Sequence, residues 1–213
     1  MKALNLVIVL LSFSVLVHAQ QEEFDPRHTL TVQHGYGWFG LLNNHQGDIE
    51  ITNDRTGITQ LFSANFDGSA ATTIAYDYRF GRVFSLGGAV GFQSIDINGF
   101  RNSETNESIS GAIDINRIFL SGRTLFHYGK NPKWDLYSGV RVGATVWNVN
   151  STVDQDDFTL GTGFNFSRGT AVLPHVVPIP FGFKYYPDDR VMIGAELAAG
   201  SPHFIAFQAG FRF

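Results

Sequence analysis

Seven charged residues fall at alternating positions within strongly patterned segments: Asp77, Arg79, Asp135, Arg141, Lys184, Glu196 and Arg212. Carboxylates and cations in such a pattern can pair with one another, pass an ion, or hold a proton. Charges taken out of water need partners, because an unpaired buried ion is strongly destabilising. The pairings open to them are Glu196 with Lys184 or Arg212, and Asp77 or Asp135 with Arg79 or Arg141. We read the set as a packed, salt-bridged interior network. The other reading is a gate or a narrow ion path.

Other candidate chemistry is weaker. A hydrolase needs a nucleophile, a base and an orienting group in mutual reach. His127, His175 and His203 lie in or beside patterned segments with serines nearby, but nothing in their spacing brings such a set together. His175 and His203 are expected near the outer end, where a lipid-modifying site would lie. Asp154, Asp156 and Asp157 could bind a divalent cation, yet the run lacks the glycine and distal glutamate of an EF-hand loop; it reads as a solvated acidic loop. Gly35-Tyr36-Gly37-Trp38-Phe39-Gly40 spells a dinucleotide-type glycine motif, but no helix follows it. The chain has no cysteine, which excludes disulfides, thiolate metal sites and a cysteine nucleophile. No cofactor and no metal is expected.

The elements that carry these residues are strands. In 203–213, Ile205, Phe207, Ala209, Phe211 and Phe213 share one parity; in 190–200, Val191, Ile193, Ala195, Leu197 and Ala199 do so. In 177–185 the apolar parity is Val177, Ile179, Phe181, Phe183 and Tyr185. The same alternation runs through 134–148, 83–95 and 70–80, and less cleanly through 28–39, where His34 interrupts it, and 113–128. Period-two patterning means strands with one apolar face, and there are eight of them. Short turns at 81–82, 129–132 and 187–189 alternate with three long polar connections, 41–68, 96–110 and 150–174. The aromatic residues Tyr78, Phe80, Phe84, Phe126, Tyr128, Trp134, Tyr185, Tyr186 and Phe213 collect at the short-turn end, where an interfacial girdle belongs.

The placement of charge distinguishes the faces. The apolar parity of the clean strands carries no Asp, Glu, Lys or Arg, whereas the seven charged residues occupy the opposite parity. A soluble barrel would place its apolar side chains inside and back them with a richly charged exterior. Only 16% of these residues are charged, against about 25% in a typical soluble domain. An all-β, eight-stranded antiparallel up-and-down transmembrane β-barrel follows, with lipid outside and a polar lumen. The net charge of −4 and the lack of any basic run give no reason to expect a nucleic acid partner.

At the N-terminus, Lys2, the apolar run from Ala3 to Val17 and the Val17-His18-Ala19 site resemble a secretory signal peptide. The expected organisation is a signal peptide over 1–19, a short periplasmic segment over 20–27, and the barrel over 28–213.

With this pattern, and a final strand of alternating apolar residues ending at Phe213, residues 26–213 resemble the small eight-stranded outer-membrane β-barrel family of the OmpA-transmembrane-domain and OmpX type. The resemblance implies location in the cell outer membrane, contact with outer-membrane lipid and lipopolysaccharide, and an assembly signal at Phe207, Phe211 and Phe213 read by the barrel assembly machinery. No periplasmic peptidoglycan-binding domain is expected. The expected function is non-enzymatic: a closed barrel with a structural or surface-interaction role, whose surface ligand the sequence does not identify. The alternatives are a narrow channel or carrier for small or hydrophobic solutes, and a lipid-modifying enzyme.

Overall fold

A computed structural model describes residues 28–42, 45–52, 58–128, 131, 133–153, 157–160, 164–167, 169–188 and 190–213. The expected signal peptide and short N-terminal segment therefore lie outside the described residues, as do Asp154 to Asp156 of the acidic run.

Eight strands form the wall. They are β1 (His28–Tyr36), β4 (Ala71–Phe80), β5 (Phe84–Asn102), β6 (Ala112–Tyr128), β7 (Trp134–Ser151), β10 (Gly169–Tyr185), β11 (Val191–Leu197) and β12 (Ile205–Arg212). Each pairs antiparallel with its neighbours in the ring β1-β4-β5-β6-β7-β10-β11-β12, and β12 returns to β1. The closing seam extends to the end of the chain, where the His28 amide donates to the Phe213 carbonyl and the Phe213 amide returns a bond to His28. The seam pairs the edges of β1 and β12, which a membrane would not tolerate unpaired. The chain is an eight-stranded antiparallel transmembrane β-barrel.

The wall places apolar side chains outward. Leu86, Val90 and Phe92 of β5, Ile118 and Leu120 of β6, and Phe207 and Phe211 of β12 are exposed. No Asp, Glu, Lys or Arg shares their face between the short turns and Phe92. This is the belt that meets lipid. At its short-turn edge the rings of Tyr78, Phe80, Phe84 and Phe126 form a continuous chain of contacts, each to the next. Trp134 meets Tyr185 nearby. Tyr186 departs from this girdle: it is buried, and Arg212 lies over its ring at 4.0 Å.

Two expectations are corrected. The first concerns 41–68, 96–110 and 150–174, which are expected to be long polar loops. Much of their length is strand. β2 (His45–Thr52) and β3 (Thr59–Gly68) pair with each other, and β3 pairs with the upper half of β5. A further hairpin, β8 (Asp157–Leu160) and β9 (Phe164–Ser167), joins β2. β5 runs on to Asn102, β7 to Ser151, and β10 starts at Gly169. The physical reason is a change of solvent. On β5 the outward residues Leu86, Val90 and Phe92 give way to Ser94, Asp96 and Asn98, while inward Gln93 gives way to Ile95 and Ile97. On β6 and β7, Ile113, Ile115, Trp147 and Val149 turn inward in the same way. Above the bilayer, water replaces lipid outside, so apolar side chains pack inward. Together with Ile49, Ile51, Phe62, Phe66 and Phe100 they form a buried core over the outer end of the lumen.

The second correction concerns 177–185. Its side chains do not keep one parity. The register of β10 against β7 shifts between Ile179 and Gly182, so Val177 and Ile179 are buried inside while Phe181 points outward. Pro180 sits within this bulge, where its missing N–H breaks the ladder at little cost.

Candidate functional site

The lumen is filled rather than open. Glu196 of β11, fully buried, is its centre. Its Oε2 accepts from the Tyr137 hydroxyl at 2.8 Å, Arg123 Nη2 at 3.2 Å and Gln33 Nε2 at 3.3 Å. Its Oε1 pairs with Arg141 Nη2, and His203 Nε2 lies 3.6 Å away. Gln208 and Gln33 bind each other at 3.1 Å, and Gln208 donates to Tyr137 at 3.0 Å. One layer nearer the short turns, Arg123 Nε reaches Asp77 at 3.1 Å and Lys184 reaches Asp77 at 3.5 Å. Arg79 lies 3.4 Å from Asp135.

Each wall strand contributes at least one of these inward polar groups: Gln33, Asp77, Arg123, Arg141, Lys184, Glu196, Gln208, and Ser85 on β5. The strands can do so because alternate inward positions are small. At Gly182 a Cβ would lie 2.0 Å from the Tyr137 ring, so only glycine leaves room for that ring where its hydroxyl reaches Glu196.

Of the seven charged positions named from sequence, Asp77, Arg79, Asp135, Arg141, Lys184 and Glu196 converge in the lumen. Asp135 meets Arg79 as anticipated, and the other pairings differ. Glu196 meets Arg141 and Arg123 instead of Lys184 or Arg212, and Asp77 meets Arg123 and Lys184. Arg212 lies against Tyr186. Sequence reasoning left out Arg123, Tyr137, Gln33 and Gln208; their inward parity on regular strands was the available signal.

A polar guanidinium separates the network from the outer core. Arg117 is buried with the rings of Trp147, Phe39 and Phe119 at 4.1, 4.8 and 4.8 Å from its carbon. It donates to Gln93 at 2.7 Å and to Ser201 at 2.6 Å.

At the short-turn end a second constellation appears. His127 Nε2 is 2.9 Å from Ser85 Oγ, and its Nδ1 is 2.9 Å from both oxygens of Asp135. All three residues are buried, and they line a recess shared with Arg79, Lys184 and Arg212. Ser85, His127 and Asp135 stand on three successive wall strands, β5, β6 and β7. Their spacing in the chain hides this; only the strand register reveals it. The other two histidines are elsewhere: His175 is bonded to Thr145 at 3.1 Å, and His203 belongs to the Glu196 cluster.

The glycine motif also has a structural account. A Cβ on Gly35 would lie 2.5 Å from the Ile205 carbonyl oxygen, and one on Gly37 would lie 2.4 Å from that of Pro202. The glycines allow close approach of backbone to backbone. The terminal phenylalanines Phe207, Phe211 and Phe213 are exposed on the lipid face. Among the described residues, no cluster of His, Asp or Glu is arranged to hold a metal ion.

No protein-family model matches the chain, and no curated protein sequence matches it. Solved structures do. The attachment invasion locus protein Ail of Yersinia pestis, in complex with the heparin analogue sucrose octasulfate, is 13% identical. The match covers 89% of this chain and 100% of that one, with a TM-score of 0.44. The outer membrane protein OprG of Pseudomonas aeruginosa is 12% identical over 88% of this chain and 96% of its own, with a TM-score of 0.48. Neisserial surface protein A is 14% identical over 88% and 95%, with a TM-score of 0.36. At these identities the likeness is one of fold.

Proposed function

We propose that this protein is an outer-membrane barrel with a sealed lumen that acts through its outer end, as a rigid platform for surface interaction. The observation that carries this reading is the sequence of fillings along the barrel axis. The Glu196 network spans the lumen, Arg117 and its three aromatic rings lie above it, and the apolar core of the outer strands lies above that. An eight-stranded wall encloses a space that side chains can fill, and here they do. The outer strands then present a folded sheet, rather than mobile loops, to a partner. This role consists of binding and is non-enzymatic.

Lipid surrounds the belt, and lipopolysaccharide meets its outer margin, where Asp67, Asp96, Asp114 and Asn150 stand side by side on neighbouring strands. Phe207, Phe211 and Phe213 serve as the signal for the assembly machinery, as an exposed, alternating terminal strand can. Planar-bilayer recording tests the sealed lumen. Pure protein should give no steady single-channel steps; regular steps would refute the reading.

A second reading, a carrier for hydrophobic solutes, is favoured by one specific feature. From Gly169 to Val176, β10 pairs with β7 and has no second neighbour among the described residues. Val172 and Leu173, consecutive and therefore on opposite faces, are 61% and 53% exposed. The wall is open there on both faces. Saturable quenching of tryptophan fluorescence by a brominated fatty acid, abolished by L173D, would support this reading; unsaturable quenching would exclude it.

A further inference from the structure

We infer that the short-turn end of the lumen is an acyl-transfer site for short-chain esters, in which Ser85 is the nucleophile, His127 the general base and Asp135 the residue that orients it. This lies beyond the platform role, at the opposite end of the barrel.

The geometry is that of a nucleophile activated through a relay of hydrogen bonds. His127 Nδ1 faces both oxygens of Asp135 at 2.9 Å. A carboxylate there holds the proton on Nδ1 and leaves the Nε2 lone pair free. That lone pair is directed at the Ser85 hydroxyl, 2.9 Å away. The contact is within the range expected of a working nucleophile and base. Each member is fixed by a different strand of a closed wall, so the spacing does not depend on a mobile loop. Tyr137 flanks the imidazole ring at 5.9 Å between centroids and limits its rotation.

The surroundings supply the remaining requirement. Arg79, Lys184 and Arg212 line the same recess, the first two paired with Asp135 and Asp77, which line it as well. Cationic donors near a reacting carbonyl stabilise the negative charge that develops on its oxygen, most strongly where water is scarce. The free space of the recess is about 10 Å³, that of a single water molecule. A long acyl chain has no place there, so the ester must present a short acyl group at the mouth. The acyl group displaces that water, and the second nucleophile is a water that enters from the mouth.

The reaction balances with water as the only co-reactant. Ser85 Oγ bonds to the ester carbonyl carbon while its proton passes to His127 Nε2. The bond from that carbon to the alkoxy oxygen breaks, and the alcohol departs with the proton from His127. Water then adds to the acyl-serine, giving its proton to His127. Ser85 regains that proton as the carboxylic acid leaves.

The test uses the full barrel refolded in detergent, with p-nitrophenyl acetate as the probe. After an acid quench, peptide mapping should find an acetyl group on Ser85, and p-nitrophenolate release should continue beyond one equivalent. S85A should lower the rate by about a hundredfold or more, with D135N losing a comparable factor. S85C should trap the acyl group as a thioester. The inference is overturned if folded wild-type protein carries acetyl only on lysines, if Ser85 stays unmodified, or if S85A turns over as fast as wild type. The peptide map is made on wild-type protein, so it decides between these outcomes even where a variant fails to fold.

Discussion

Arg123 of β6 lies 3.2 Å from Glu196 of β11, a contact that crosses the lumen between strands separated by β7 and β10. Neither side chain is solvated there. Together with the Arg141 pair, this contact ties the two sides of the wall. Removing the carboxylate leaves two buried guanidinium groups facing each other without their shared partner. E196A should therefore lose about 3–5 kcal/mol, as for other buried pairs broken on one side. Urea unfolding in lipid vesicles measures the loss directly.

Gly182 should be intolerant of even a methyl group. A Cβ there would meet the Tyr137 ring at 2.0 Å, and the ring would have to swing away from Glu196. G182A is expected to cost about 1–3 kcal/mol, the range for overpacking. Y137F leaves the ring in place and removes only the hydroxyl, so the two variants separate the steric effect from the hydrogen bond. Both are read from unfolding midpoints.

The margin of the lipid belt can be located by moving a charge along β6. Leu120 and Asn116 point outward on the same strand, but Leu120 lies in the belt and Asn116 beyond it. L120R should cost about 2–4 kcal/mol, and N116R about 0–1 kcal/mol. Equal costs in the same vesicle assay would place the margin elsewhere.

The turn between β10 and β11 should give a small acid-dependent signal. The Val191 and Arg190 amides hold the Asp188 carboxyl below its ordinary 3.8, each bonding Oδ1 at 2.7 Å. Since the folded value is depressed, the stabilisation is complete above the unfolded value and is lost as pH falls through the folded one. D188A should be less stable than wild type at neutral pH. That gap should close as pH drops below 3.8, measured by paired urea titrations across the acid range.

The wall was legible in the sequence because lipid and lumen impose opposite demands on alternate residues. Strand β12, from Ile205 to Arg212, shows this in its simplest form. The outer strands were not legible for the same reason. On β5 the positions keep their parity past Gln93 while the chemistry at each parity reverses, so a fixed apolar-outside rule reads Asp96 and Asn98 as loop. Pro180 hid a bulge that turned Val177 and Ile179 to the other face. The lumen charges were legible as a set, since their parity was clear. Of their partners only the Asp135–Arg79 pair was, because pairing such as that of Arg123 with Glu196 depends on which strands face each other across the ring. Ser85, His127 and Asp135 were lost likewise: 42 and 8 residues separate them in sequence, and the register of three strands brings them together.

The reversal at Gln93 and Ser94 also acts as a depth gauge. A barrel sliding outward along the membrane normal would lift Phe92 and Ile118 into water, and one sliding inward would draw Asp96 and Asp114 into hydrocarbon. Either displacement is opposed by a different group of side chains on the same strands. The vertical position of the molecule is thus set by the point where its two apolar faces change places. The same point determines how far the outer sheet stands above the cell surface.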